Sequence, residues 1–185
     1  MNVEPLAIGE VKLIIPPRFQ DPRGFFSETW NAHRFTEAGI PGPFIQDNHA
    51  RSADRGVVRG LHLQIAPSPQ GKLIRVVRGS IWDVAVDIRQ DSPTYGQNAG
   101  VVLSAANWQQ LWIPAGLLHG YCTLEPDTEV IYKVTAPWDR QAERGVIWND
   151  PMLAIPWPIA PGAAILSDKD RALPRLAECG EWHTR

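Results

Sequence analysis

With 185 residues, 18 lysines and arginines against 20 acids, and a net charge of −2, the chain lacks the cationic excess that nucleic acid or an anionic membrane requires. Its 44% apolar and 21% charged content is that of an ordinary globular protein, and residues 1–185 suit one domain with a real core. The opening stretch MNVEPLAIGEVKLIIPP, broken by Glu4 and Glu10, reads as neither signal peptide nor membrane span. Two cysteines, Cys122 and Cys179, make no disulfide framework, so a reduced, cytoplasmic protein is expected.

Seventeen prolines leave little room for long helices and favour short strands joined by turns. In chain order, strands are expected at 11–15 and 24–29, then a helix at 31–38 closed by Gly39, then strands at 44–49, 57–64 and 72–78. The clearest strand is 80–89, where Trp82, Val84, Val86 and Ile88 alternate with Asp83, Ala85, Asp87 and Arg89. Strands at 99–104, 110–114, 120–124 and 128–135 come next, with a short turn at 104–108. From Pro151 onward the chain is proline-rich and irregular, and is expected to pack over the rest as a C-terminal arm. So many strands and so little helix predict an all-β protein, a double-sheet barrel or jelly roll with a few short helices.

Strand alternation puts Val58, Gly60, His62 and Gln64 on one face, Lys72, Ile74 and Val76 on another, and Tyr132 with Val130 and Val134 on a third. If these faces point inward, a histidine, a lysine and a tyrosine converge in an apolar barrel. That set suits removal of a proton beside a carbonyl: a base takes the proton, a cation holds the enolate oxygen, and an acid returns a proton. The pattern alone leaves blander readings open. A lone strand histidine is more often structural, Lys72 after Gly71 reads equally as a solvated strand end, Tyr132 as core packing, and the acids of SDKD (167–170) as a turn.

Two segments, RGLHLQ (59–64) and PAGLLHG (114–120), resemble the paired motifs of the cupin barrels. Metal-binding cupins place two histidines and a carboxylate in the first motif, whereas here His62 is followed by Leu63, Gln64 and Ile65. His62 and His119 alone make a poor metal set, so no metal is expected and His62 is left for proton transfer.

Longer stretches are similar to the dTDP-4-dehydrorhamnose 3,5-epimerase family of sugar-nucleotide epimerases: DPRGFFSETWN (21–31), QDNHARS (46–52), VVRGLH (57–62), QGKLIRVVRGSIWDVAVDIRQDSPTYG (70–96), LWIPAGLLHGY (111–121), VIYKVTAPW (130–138), ERGVIWNDP (143–151) and LSDKDRALP (166–174). The resemblance implies a cupin-type jelly roll that needs no metal or organic cofactor. It implies His62 as base, Asp170 as the carboxylate orienting it, Tyr132 as acid on the opposite face of the sugar, and Lys72 on the C4 oxygen. His119 would support the substrate. Arg23, Phe26 and Glu28, with Gln46 and Asn48, match nucleotide-binding positions, and Arg59, Glu143 and Lys169 match substrate contacts. Trp138 is expected to line the sugar pocket. No catalytic role falls to His33, His49 or His183.

The implied partners are a dTDP-linked 4-keto-6-deoxyhexose and a second copy of the chain, in a homodimer whose N-terminal segment reaches its neighbour. The implied reaction inverts C3 and C5 of dTDP-4-dehydro-6-deoxy-D-glucose. Leu63 and the pair Leu117–Leu118 stand where the family commonly has other residues, which keeps a single-centre epimerase or ketoisomerase as an alternative. A metal-dependent cupin and a non-catalytic sugar-nucleotide binder are the alternatives from other classes.

Overall fold

The computed structural model describes residues 1–180 and 182; His183 lies outside them. The strands are β1 (Asn2–Pro5), β2 (Lys12–Ile15), β3 (Phe19–Asp21), β4 (Gly24–Phe26), β5 (Gln46–Ser52), β6 (Val58–Gln64), β7 (Lys72–Arg78), β8 (Ser80–Asp87), β9 (Asn98–Ser104), β10 (Gln110–Ile113), β11 (Leu117–Thr123), β12 (Thr128–Val134) and β13 (Glu143–Gly145). The helices are α1 (Ala32–Glu37) and α2 (Asp168–Arg171). Every strand expected from the sequence is present, β7 with the expected ends and the others with shifted ones, and β1, β3 and β13 are additions of three or four residues each.

The shifts have local causes. The strand expected at 24–29 ends at Phe26 because side-chain hydrogen bonds pin residues 27–29: the Ser27 hydroxyl donates to Pro17 O at 2.8 Å, and Gln110 Nε2 donates to Thr29 O at 2.9 Å. The strand expected at 44–49 instead runs to Ser52, drawn along β12 in unbroken register from Gln46↔Val134 to Ser52↔Thr128. The helix falls where expected. Asn31 caps it by accepting from Arg34 N, and Gly39 leaves it at φ +70°.

From β5 onward the chain passes back and forth between two sheets. One has the order β1-β2-β10-β7-β12-β5, the other β13-β6-β11-β8-β9, and the hairpin β3–β4 pairs only with itself. This is the double-sheet jelly roll that the strand pattern predicts. Between the sheets lie Leu13, Ile74, Val76, Ile81, Ala85, Leu103, Leu111 and Val130, all buried. Leu61, Leu63, Val84, Val86 and Leu118 face out from the smaller sheet, beneath Leu153, Ile155, Trp157 and Leu176 of the C-terminal arm. The apolar side of β8 is thus its outer side, and Asp83 and Asp87 point into the barrel, fully buried.

One strand departs from simple alternation, and the site depends on it. His62 pairs with His119, but Arg59 pairs with Tyr121, so β6 carries one residue more than β11 across the same interval. Such a bulge switches faces. Val58, expected beside His62, lies on the outer side with Cys122 and Trp148, while Arg59 turns in with His62. Gly60 makes this possible: its φ is +121°, and a Cβ there would lie 2.7 Å from both Gly120 Cα and His119 O. Gly60→Ala is therefore expected to destabilise the protein by at least about 2 kcal/mol, read from its denaturant midpoint against wild type.

Candidate active site

A cavity of about 360 Å³ opens between the sheets at one end of the barrel. Its walls carry Arg59, His62 and Gln64 from β6, Lys72 from β7, His119 and Tyr121 from β11, and Tyr132 from β12. Gln46 and Asn48 of β5, Trp138, Glu143 of β13, and Lys169 and Asp170 of α2 complete it.

His62 and Asp170 are 108 positions apart in the chain, yet His62 Nε2 lies 2.6 Å from Asp170 Oδ1. The Ser167 hydroxyl caps α2 by accepting from Asp170 N, which sets the carboxylate in place. Burial would raise the Asp170 carboxyl, but the hydrogen bond and charge of His62, with contacts from Gly60 N–H and Ser167, together hold it below the ordinary carboxylate range. An ionised Asp170 accepts from Nε2–H, so the proton-free nitrogen of a neutral His62 is Nδ1. A base needs that arrangement.

Lys72 is enclosed on the other wall. Burial lowers its ammonium to about 8, opposed by the charges of Asp83 and Glu143. Burial also raises the Tyr132 phenol, with Arg59 pulling the other way, so at neutral pH Tyr132 holds its proton and can give it. His119 Nε2 lies 2.6 Å from Asp83 Oδ1; burial lowers this imidazole despite Asp83, and Lys72 and His62 push in the same direction.

Polar contacts order the rim. Lys169 donates to Glu143 at 2.6 Å. Gln46 Nε2 donates to Asn48 at 2.8 Å, and its oxygen accepts from Trp138 N at 3.3 Å. Arg59 is steadied by Ser52 Oγ and Arg51 O, at 3.4 and 3.2 Å. Planar Arg59 and the ammonium of Lys169 suit phosphate oxygens.

Three sequence-derived positions are not brought here. Arg23, Phe26 and Glu28 lie on or beside the β3–β4 hairpin, which packs through Phe25 on Trp108 and does not line the cavity: the Arg23 side chain is 90% exposed and paired with Asp21, Phe26 is 71% exposed, and Glu28 pairs with Arg34. Sequence reasoning in turn assigned nothing to Tyr121, although alternation from His119 places it on the same face. Tyr121 lines the cavity, and burial raises its phenol to about 12. Its hydroxyl faces Ser52 without making a hydrogen bond of normal geometry.

The donor set does not fit a metal. Among the described residues no three histidine, cysteine, aspartate or glutamate side chains gather as ligands, and His62 and His119 each engage a carboxylate through Nε2. The chemistry on offer is proton transfer beside the Lys72 ammonium.

Comparison with known proteins gives a consistent result. The sequence model of a family described as dTDP-4-dehydrorhamnose 3,5-epimerase matches residues 5–178. A dTDP-4-dehydrorhamnose 3,5-epimerase of Pseudomonas aeruginosa is 52% identical over 172 residues, 92% of this chain and 93% of that protein. The crystal structure of the Bacillus anthracis dTDP-4-dehydrorhamnose 3,5-epimerase with TDP and PPi bound superposes with a TM-score of 0.91 at 48% identity, over 95% of this chain and 99% of that one. That of the Legionella pneumophila dTDP-6-deoxy-D-glucose-3,5-epimerase, in complex with dTDP-4-keto-L-rhamnose, gives 0.92 at 43%, over 97% and 94%.

Proposed function

The chain belongs to the dTDP-4-dehydrorhamnose 3,5-epimerase family, and from that premise we propose how its cavity carries the reaction. The enzyme is an isomerase acting on a nucleotide-linked sugar, converting dTDP-4-dehydro-6-deoxy-D-glucose to dTDP-4-dehydro-L-rhamnose. The observation that carries the mechanism is the His62–Asp170 pair in one cavity with Lys72 and Tyr132.

C3 and C5 both flank the C4 carbonyl, so one oxygen acidifies both protons. His62 Nδ1 removes the proton from one of these carbons, and the C–H electrons move toward C4, leaving an enolate oxygen against Lys72. Asp170 stabilises the imidazolium and keeps the ring oriented. Tyr132 then gives its phenolic proton to the opposite face of the same carbon, which inverts it. Solvent returns a proton to Tyr132 and takes one from His62, and the second carbon reacts by the same route. Gln46 and Asn48 hold the nucleotide, Arg59 and Lys169 contact the substrate with Glu143 positioning Lys169, His119 supports the sugar, and Trp138 walls the pocket. No metal or organic cofactor is used.

Arg23, Phe26 and Glu28 serve best in a homodimer, where the hairpin that stands away from its own cavity completes the neighbour's. A nucleotide-linked substrate and two free cysteines, Cys122 and Cys179, favour a cytoplasmic location.

Wild-type turnover in D₂O, monitored by NMR, is expected to place deuterium at C3 and C5 of an L-rhamno product. Exchange and inversion at one carbon alone would mark a single-centre enzyme, and no exchange would sink the enolate route. Tyr132→Phe separates the two proton transfers. His62 can still remove and return a proton on its own face, so exchange continues while inversion falls at least about a hundredfold. Equal loss of both would remove Tyr132 from the role of opposed acid.

A further inference from the structure

A second histidine–aspartate pair lies under the cavity, and the epimerisation mechanism leaves its carboxylate without a task. Asp83 is fully buried on β8, cross-strand from Tyr121 and facing the sheet that carries Lys72. Its Oδ1 meets His119 Nε2 at 2.6 Å, while its Oδ2 is buried with no hydrogen-bond partner among the described residues. Its one ion-pair contact among the described residues is His119, an imidazole whose proton affinity burial lowers. A buried carboxylate is costly unless a cation answers it.

The groups around Lys72 narrow the choice. Arg59 and His62 come from β6, Asp83 from β8, His119 from β11, Tyr132 from β12, Glu143 from β13, and Lys169 and Asp170 from α2. Three of these are carboxylates. Asp170 holds His62, and Glu143 holds Lys169 at 2.6 Å. Of the three, only Asp83 has a buried oxygen without a hydrogen-bond partner among the described residues.

We propose that Asp83 is a positioning residue for the epimerisation: one oxygen fixes the Nε2–H tautomer of His119, and the charge of the carboxylate holds the Lys72 ammonium at the cavity floor. This rests on the epimerase reading and extends it to a residue that does not touch the sugar. Burial works against the ammonium, and Asp83 works for it. Without Asp83, Lys72 loses its proton at lower pH, and with it the positive charge that the enolate needs.

The test is the pH profile of kcat/KM from pH 6 to 9.5 for wild type, Asp83→Asn and Asp83→Glu. In Asp83→Asn the alkaline limb is expected to move acidward by about one unit or more, so that activity at pH 8 falls about fivefold or more beyond its fall at pH 6. Asp83→Glu restores the limb. A loss of the same factor at every pH would make Asp83 merely structural and overturn the proposal. Lysine ¹³Cε NMR reads the same shift at Lys72 without substrate, so its outcome is separate from whether the wild type turns over the sugar. Should Asp83→Asn fail to fold, ¹⁵N-histidine NMR of the wild type decides. His119 neutral with its proton on Nε2 from pH 6 to 9 supports the proposal, and an imidazolium or an Nδ1–H form in that range overturns it.

Discussion

His62→Ala is expected to lower kcat by about three orders of magnitude while leaving dTDP affinity within a few-fold of wild type. Among the described residues His62 is the cavity histidine paired with a carboxylate of α2, and no other imidazole or phenol there is free to take the proton: the Tyr132 and Tyr121 phenols are raised by burial, and His119 is tied to Asp83. The nucleotide contacts proposed for Gln46 and Asn48 do not pass through the imidazole, so binding and turnover part company. Asp170→Asn lowers kcat less than His62→Ala, and the double variant is no slower than His62→Ala alone, because the carboxylate acts through the ring it orients. Single-turnover kinetics with dTDP binding by calorimetry separate these outcomes. Full loss of dTDP binding in His62→Ala would point to a collapsed cavity instead of a missing base.

Lys72→Met is expected to lose about two to three orders of magnitude in kcat, the scale of one group that meets a developing oxyanion, and to be more stable than wild type. The second half is a consequence of linkage. The unfolded chain keeps Lys72 protonated up to the usual lysine range, whereas the folded protein holds that proton only up to about 8. Below pH 8 the folded state therefore carries the cost of an enclosed ammonium that Asp83 and Glu143 only partly offset, and its stability rises as pH climbs from 8 toward the unfolded value. Methionine fills similar space without that cost. Thermal melting at pH 7 should show a higher midpoint for Lys72→Met, with the gap to wild type closing above pH 8. A variant both dead and less stable would mean that Lys72 is a structural cation.

Much of the site was legible because strands repeat with period two. Lys72, Ile74 and Val76, and likewise Val130 and Tyr132, turn inward together as their alternation predicts. Arg59 could not be placed this way. The bulge at Gly60 swaps it with Val58, and the nearest hint in the sequence is the glycine itself. Alternation along β8 identified the apolar face but not its direction, since the arm beyond Pro151 supplies a second apolar layer outside the barrel. Asp170 was reachable only through family resemblance, because SDKD reads locally as a turn and its partner lies on a distant strand. The strands β1, β3 and β13 are too short to carry a period. The hairpin residues Arg23, Phe26 and Glu28 were reachable only through family resemblance, and they lie outside the cavity's lining.

The distance along the chain between His62 and Asp170 also sets an order in time. Strands β1 to β13 leave the ribosome before α2, and at that stage His62 is a strand histidine without its carboxylate. The arm then docks through the parallel bridge Val57↔Ile165 and the bond from Ile147 N to Pro174 O. Only with that docking does α2 deliver its carboxylate to the ring. The catalytic pair is thus completed by the arm, and a chain that ends or is cut before Ser167 lacks the carboxylate however much of its barrel it forms.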